Sequence, residues 1–221
     1  MPNEHDELTR QRRWMEAVKA KNRVRFRLAG SGIVDLFPGW GAELPWQDLV
    51  GLELLRPETL RIFGRSVVTP RLSAWVGDPE ARYRYSGRSW QPAHWTPALD
   101  ALRQTVQNTC GVSFHGVLLN LYRDGRDSMG FHADNEPELG PTPENIVVAS
   151  LSFGERRDFV LRPAKHAPLP YGARLTLRLG EGDLLIMRGT TQQLWVHGVP
   201  KRRQAGLRLN LTFRHLNACE P

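Results

Sequence analysis

Residues 208–214 are Arg-Leu-Asn-Leu-Thr-Phe-Arg, a stretch in which polar and apolar side chains alternate. Because successive side chains of a β-strand point to opposite faces, this pattern predicts a strand with Leu209, Leu211 and Phe213 on one face. The opposite face would carry four polar residues, Arg208, Asn210, Thr212 and Arg214. An amphipathic edge strand with a solvated basic face is the usual interpretation of such a pattern.

Two histidines and an aspartate upstream of this strand could bind one metal ion. His132 and Asp134 are two residues apart, so in an extended segment both side chains point to the same side. Alone, this tripeptide is weak evidence, because it often occurs by chance. His197 follows an apolar segment and adds a second imidazole. Two imidazoles and one carboxylate occupy one face of an octahedron and leave three positions open, as in non-haem Fe(II) oxygenases.

Zinc could bind the same three residues. A closed structural zinc site would prefer a fourth ligand, typically sulfur, and neither Cys110 nor Cys219 is near in sequence. With an open metal site upstream, we favour a ligand-binding face for residues 208–214, because guanidinium groups bind carboxylates bidentately and a dicarboxylate would suit this strand. A buried strand over residues 117–122 would place Asn120 and Tyr122 on one inward face beside it.

The composition limits the classes of protein to consider. With 221 residues, 40% of them hydrophobic, the chain can bury one substantial core, and we expect one domain plus an N-terminal extension. A formal net charge of +7 favours a polyanionic partner such as nucleic acid, although many basic proteins bind none. The two cysteines are far apart in sequence, and the chain shows neither a signal-like apolar run nor a membrane-spanning stretch. These features predict a soluble cytoplasmic protein with no membrane partner.

The pattern of elements predicts a mainly β fold with flanking helices (α+β). Residues 8–25 favour a basic amphipathic helix or a partly ordered arm, more often a solvated helix than a nucleic-acid contact. Residues 97–109 favour a helix that ends near Cys110 and Gly111, and helices are expected only in the first half of the chain. Short strands follow at residues 117–122, 146–153, 158–162, 175–179 and 184–187. This order predicts a two-sheet antiparallel roll buttressed by helices.

Residues 60–87 alternate aromatic side chains with arginines and small turn residues. Such a hairpin-rich surface could hold phosphates with its cations and stack its aromatic rings on bases. The same aromatic residues could equally form the core side of ordinary strands. Composition alone does not decide between the two.

Several motifs together resemble the AlkB-type Fe(II)- and 2-oxoglutarate-dependent nucleic acid dealkylases, and within that family the animal member that repairs duplex DNA. They are Asn120-Leu121-Tyr122, His132-x-Asp134, Ser150-Leu151-Ser152-Phe153-Gly154, Arg157-Asp158-Phe159, His197 and Arg208-x-Asn210-x-Thr212-x-Arg214. The resemblance extends from about residue 37 to residue 216. It implies a double-stranded β-helix (jelly-roll) core with N-terminal helices and a hairpin nucleotide-recognition lid.

The resemblance also implies roles for the residues of the site. His132, Asp134 and His197 would hold Fe(II), and Arg208 would bind the distal carboxylate of 2-oxoglutarate. The other residues that would line the co-substrate pocket are Asn120, Tyr122, Asn210, Thr212 and Arg214, with Arg214 nearer the metal.

The base-binding residues implied by the resemblance lie in two places. A hydrophobic finger at Ile62, Phe63 and Gly64, next to Arg65, would enter the duplex, and Tyr83 and Tyr85 would belong to the lid. A flipped base would stack between Tyr85 and His132, while Asn135 and Glu136 would contact its edge. Asn135 replaces an acidic residue of the relative, which leaves open the preference between alkylated adenine and cytosine.

The implied organisation is a basic N-terminal extension over residues 1–32 and a dioxygenase domain over residues 33–221. The finger and lid would occupy about residues 60–90, and the catalytic jelly roll about residues 112–216. The implied reaction is oxidative demethylation or dealkylation of N-alkylated bases in DNA, of the 1-methyladenine and 3-methylcytosine type. It would use Fe(II), O2 and 2-oxoglutarate and release aldehyde, succinate and CO2.

The expected partner is DNA, as a duplex with a flipped alkylated base, bound by a monomeric protein. Single-stranded DNA or RNA stays possible, and the same oxygenase chemistry could act on RNA or protein. A non-catalytic nucleic-acid-binding module is the other alternative. The intact triad of metal ligands and the intact polar face of residues 208–214 argue against it, because a simple binding module has no use for such a pocket.

Overall fold

The computed structural model describes residues 23–62, 65–85, 88–140, 142, 146–170 and 172–217, with only the backbone described at residues 60–62, 65, 83–85 and 88–89. The strands are β1 (Val24–Arg27), β2 (Gly32–Phe37), β3 (Arg56–Ile62), β4 (Arg65–Gly77), β5 (Tyr83–Tyr85), β6 (Arg88–Trp90), β7 (Gly116–Tyr122), β8 (Met129–His132), β9 (Val148–Gly154), β10 (Arg157–Pro163), β11 (Leu175–Leu179), β12 (Asp183–Gly189), β13 (Trp195–Val199) and β14 (Arg208–Arg214). The helices are α1 (Gln47–Val50), α2 (Pro97–Cys110) and α3 (Thr191–Leu194), with a 3₁₀ turn at Pro137–Leu139.

Two antiparallel sheets form the body of the fold. The large sheet has the strand order β1-β2-β12-β9-β14-β7-β4-β3, and the small sheet has the order β11-β10-β13-β8. Strands β5 and β6 pair as a separate hairpin. The predicted mainly β jelly-roll fold with flanking helices is confirmed. Strand β14 lies between β9 and β7, so interpreting residues 208–214 as an edge strand is wrong.

The two faces of the large sheet bury different side chains. Leu209, Leu211 and Phe213 of β14 belong to one core cluster with the apolar residues of α2. The space between the two sheets holds a second cluster, which includes Leu118 of β7 and Phe159 of β10. Because side chains alternate along β14, its four polar residues point between the sheets, and they are buried there.

Helix α2 begins and ends where its sequence predicts. Thr96 caps it by accepting a hydrogen bond from the backbone N–H of Leu99, and Pro97 occupies the first turn. Gly111 follows the last turn with φ of +68°, a left-handed conformation that glycine adopts at little cost. The apolar side of α2 then packs across the large sheet.

Two expectations about the chain are wrong. Val24 and Arg25, the last residues of the segment predicted as an amphipathic helix or partly ordered arm, belong to strand β1, which pairs with β2, and Arg25 forms an ion pair with buried Asp35 at 2.6 Å. The large sheet therefore already begins within the segment predicted as an N-terminal extension; residues 1–22 lie outside the described residues. Helix α3 also lies in the second half of the chain, and its four residues are too short to show a helical period.

The aromatic segment divides into core and hairpins. Trp75 of β4 is buried, and its indole N–H donates to the carbonyl of Ala81 at 2.8 Å. A Cβ at Gly116 would lie 2.3 Å from the Trp75 ring, so only glycine fits beside it. The core interpretation is therefore correct for Trp75.

No helix in the described ranges is long and apolar enough to cross a membrane.

Candidate metal and co-substrate site

Strand pairing brings the three predicted metal ligands together. His197 of β13 lies directly opposite His132 of β8, and Asp134 follows β8 by two residues. His197 Nε2 is 3.5 Å from Asp134 Oδ2, and His132 Nε2 is 3.8 Å from Asp134 Oδ1. The candidate ligand atoms all lie within 4.8 Å of one another. Ligand bonds of about 2.1 Å to one ion therefore require only a small inward movement.

The protonation states suit metal binding. Burial, and then the neighbouring His197, lower the pKa of His132 to about 4, so this imidazole is neutral at neutral pH. Its Nδ1 lies 2.9 Å from the carbonyl of Gly130, which leaves Nε2 as the ligand atom. Burial raises the pKa of Asp134, but Arg214 and the two imidazoles outweigh it and hold that pKa well below its usual range.

Two buried side chains orient Asp134. Arg214 Nη2 donates to Asp134 Oδ1 at 2.6 Å, which places Arg214 next to the metal ligands. Gln192 of α3 accepts a hydrogen bond from the backbone N–H of Asp134 at 2.9 Å. Gln192 was missed in the sequence, because a helix of four residues, two of them glutamines, gives no periodic signal.

A cavity between the sheets connects the triad to the polar face of β14. Its polar lining residues are Asn120, Tyr122, His132, Asp134, Ser150, His197, Arg208, Asn210, Thr212 and Arg214. Leu118, Met129, Phe159, Met187 and Val199 supply an apolar lining. The structure thus brings together all the residues predicted to bind the metal and the co-substrate.

Arg208 is a buried cation with unused hydrogen-bonding capacity. The residue is 1% exposed, and its Nη2 donates to Ser152 Oγ at 2.8 Å. Its Nη1 has no hydrogen-bond partner among the described residues. Burial lowers the pKa of Arg208, while Tyr122, whose ring lies 5.0 Å from the guanidinium carbon, raises it. A buried guanidinium with an unused N–H fits a carboxylate ligand, because a bound anion would neutralise the buried charge and accept a hydrogen bond from Nη1.

Ser150 and Ser152 of β9 contact Asn210 of the cavity lining. Asn210 Nδ2 donates to Ser150 Oγ at 2.8 Å and to the carbonyl of Leu151 at 3.1 Å. Its Oδ1 accepts from Thr212 at 3.0 Å. The carboxamide of Asn210 is therefore bound on both sides by protein. The roles of Ser150 and Ser152 were missed, although their alternation along β9 places both side chains on one face.

The predicted base-binding residues are placed only in part. Ile62 and Arg65 pair where β3 ends and β4 begins, at the turn end of the β3–β4 hairpin, while Tyr83 and Tyr85 lie in β5. Their side chains, and the whole of Phe63 and Gly64, lie outside the described residues. Asn135 is exposed and Glu136 half-buried, and both follow Asp134 directly beside the triad. The finger and lid roles stay predictions.

Comparison with known proteins extends these observations. The sequence profile described as the 2OG-Fe(II) oxygenase superfamily matches residues 52–214. The alpha-ketoglutarate-dependent dioxygenase alkB homolog 3 of Rattus norvegicus is 38% identical over 180 residues, covering 78% of this chain and 56% of its own length. The DNA oxidative demethylase ALKBH2 of Homo sapiens is 38% identical over 161 residues, covering 71% of this chain and 60% of its own length.

The chain thus spans somewhat more than half the length of these curated relatives. The solved structure of OsALKBH1 has the same fold, with a TM-score of 0.56 and 18% sequence identity. It covers 87% of this chain, and the match includes 100% of that structure. The matched residues include the triad, the residues of the Arg208 cavity, the whole small sheet and the large sheet except β1 and β2. The chain belongs to the 2OG-Fe(II) oxygenase superfamily and is of the AlkB type.

Proposed function

We propose that the protein is an Fe(II)- and 2-oxoglutarate-dependent dioxygenase that removes alkyl groups from N-alkylated bases in DNA. The observation that carries the proposal is one cavity in which the His132, Asp134 and His197 triad lies beside the buried cation Arg208. Iron with O2 and 2-oxoglutarate supplies the oxidising chemistry when bound. The products are succinate, CO2 and the aldehyde released from the alkyl group.

The chain's own residues hold and enclose these groups. The triad binds iron on one face, and Arg214 keeps Asp134 ionised and oriented. Arg208 binds the distal carboxylate of 2-oxoglutarate through its unused Nη1. Phe159 stacks on His197 with ring centroids 5.1 Å apart, and together with Leu118 it excludes water from the metal side of the cavity.

The nucleic-acid part of the proposal rests on different support. The net charge of +7 favours a polyanion, and the relatives matched over most of the chain include DNA oxidative demethylases. The β3–β4 and β5–β6 hairpins carry the segments predicted to enter the duplex and to cover the flipped base. We propose that a monomer binds duplex DNA with the alkylated base flipped toward the triad.

A panel of substrates tests this function directly. The protein, loaded anaerobically with Fe(II) and 2-oxoglutarate, is exposed to air with duplex DNA, single-stranded DNA or RNA that carries 1-methyladenine or 3-methylcytosine. We expect loss of the methyl mass and release of formaldehyde, dependent on both iron and 2-oxoglutarate, fastest on duplex DNA. Faster reaction on RNA would reassign the substrate. Succinate release without demethylation of any oligonucleotide would discard the nucleic-acid proposal, and no turnover would favour a binding module.

Replacing Phe63 with alanine tests the proposed finger. We expect the rate on duplex DNA to fall at least about tenfold more than the rate on single strands, because the wedge offsets the unstacking of a base only in the duplex. The measurement is the ratio of initial demethylation rates on the two substrates. Val68→Ala, at an exposed position of the same hairpin, is the matched control. Equal losses on both substrates would remove the finger role from Phe63.

A further inference from the structure

Asn120 is a cavity residue held by a neighbouring strand. It lies in β7 with 2% of its surface exposed, and Ser73 of β4 is its direct cross-strand partner. Asn120 Oδ1 accepts a hydrogen bond from Arg71 Nε at 2.7 Å and another from Ser73 Oγ at 3.0 Å. Both donors are buried as well. One oxygen of the cavity surface is thus fixed by two side chains outside the triad.

These contacts determine which way the carboxamide faces. An arginine Nε can only donate a hydrogen bond, so the Asn120 atom that faces it must be the oxygen. Turning the amide over would place its NH2 against the N–H of Arg71 and leave both groups without an acceptor. The nitrogen Nδ2 therefore takes the opposite side of the carboxamide, and it donates to no protein acceptor in the described ranges.

Arg71 is itself held in place. Its Nη1 donates to the carbonyl of Ser128 at 3.4 Å, and its own carbonyl accepts from Thr69 at 3.2 Å. Ser128, which precedes β8, also contacts β4 next to Arg71, because its backbone N–H donates to the carbonyl of Pro70. Within the described residues, Arg71 forms no ion pair with a carboxylate, so its strongest contact is the one to Asn120.

Asn210, directly opposite on β14, shows the contrast. Its carboxamide is bound by protein on both sides, whereas that of Asn120 is bound only through its oxygen. We propose that Arg71 and Ser73 are positioning residues that fix Asn120 so that its Nδ2 donates a hydrogen bond to bound 2-oxoglutarate. This inference rests on the proposed function and assigns a co-substrate role to the strand that carries the predicted finger.

Equilibrium binding of 2-oxoglutarate tests the inference without turnover. The protein is loaded with Mn(II), which replaces Fe(II), and titrated calorimetrically with 2-oxoglutarate. We expect Ser73→Ala to raise the Kd about fivefold and Arg71→Met to raise it about tenfold or more, as expected for one neutral and one charged hydrogen bond. In an Asn120→Ala background, the same two substitutions should change the Kd less than about twofold, because the group they orient is absent.

Arg103→Met is the matched control for loss of a hydrogen-bonded arginine. Arg103 belongs to α2, on the other side of the large sheet, and its Nη1 donates to Asp78 Oδ1 at 2.9 Å. Its loss should therefore lower the Tm and leave the Kd for 2-oxoglutarate unchanged. Ser73→Ala removes only one hydroxyl and keeps the test available if Arg71→Met does not fold. Unchanged Kd values, or effects that add fully to Asn120→Ala, would overturn the positioning role. A wild-type protein that binds no 2-oxoglutarate would overturn the proposed function and this inference together.

Discussion

Replacing His132 with alanine is expected to abolish turnover while binding of unmodified duplex DNA stays within about twofold of wild type. The two remaining ligands cannot hold iron in the required geometry, and changes around a metal ligand alone cost roughly 10–100-fold, so loss of the ligand itself should exceed about 100-fold. The His132 side chain lies at the mouth of the cavity with 18% of its surface exposed. Its removal should therefore cost little stability, unlike deletion of a fully buried ring.

Three measurements separate this expectation from general damage. Iron content after anaerobic reconstitution should fall with the demethylation rate, while the Tm and the Kd for unmodified duplex DNA should stay unchanged. His166→Ala is the matched control, because that ring is exposed, lies outside the triad and contacts the carbonyl of Gln193. Turnover retained by His132→Ala would refute the metal assignment.

The parts of the site that could be predicted depend on local patterns. Alternation along residues 208–214 assigns each side chain to a face, and the two-residue spacing of His132 and Asp134 places both on one side. The position of His197 opposite His132 follows from pairing of β13 with β8, which local spacing does not predict. Helix α2 was predictable because its cap, period and terminal glycine all agree.

The parts that could not be predicted depend on contacts between distant segments. Gln192 meets the backbone of Asp134 across 58 residues of sequence, and Arg71 meets Asn120 across 49. No periodicity marks such pairs, because each partner is a single polar residue in an otherwise ordinary element. Val24 and Arg25 of strand β1 were included in the segment predicted as a helix or partly ordered arm for a related reason. The stability of β1 comes from pairing with β2 and from the Arg25–Asp35 ion pair, and neither is visible in a short basic segment.

Replacing Arg208 with methionine should have opposite effects on 2-oxoglutarate binding and on the stability of the ligand-free protein. Two hydrogen bonds to a charged group contribute about 3–6 kcal/mol, so the Kd for 2-oxoglutarate should rise by more than about 100-fold. The ligand-free protein loses the bonds to Ser152 and the carbonyl of Leu179, together with the contact to Tyr122, whose ring lies 5.0 Å from the guanidinium carbon. The substitution also removes a buried charge whose Nη1 has no hydrogen-bond partner among the described residues, and burying such a charge is unfavourable. The free energy of unfolding of the ligand-free protein should therefore stay equal or rise.

Arg157→Met is the matched control, because Arg157 is also fully buried but donates to three backbone carbonyls, those of Asp124, Asp127 and Pro200. Removing it leaves these carbonyls without their donor and should cost at least about 3 kcal/mol of unfolding free energy. Urea unfolding of the ligand-free variants and calorimetry with 2-oxoglutarate on the Mn(II)-loaded proteins give both quantities. If Arg208→Met unfolds as readily as Arg157→Met yet binds 2-oxoglutarate normally, Arg208 is a structural arginine. If stability holds while binding is lost, the buried charge of Arg208 is kept for the ligand.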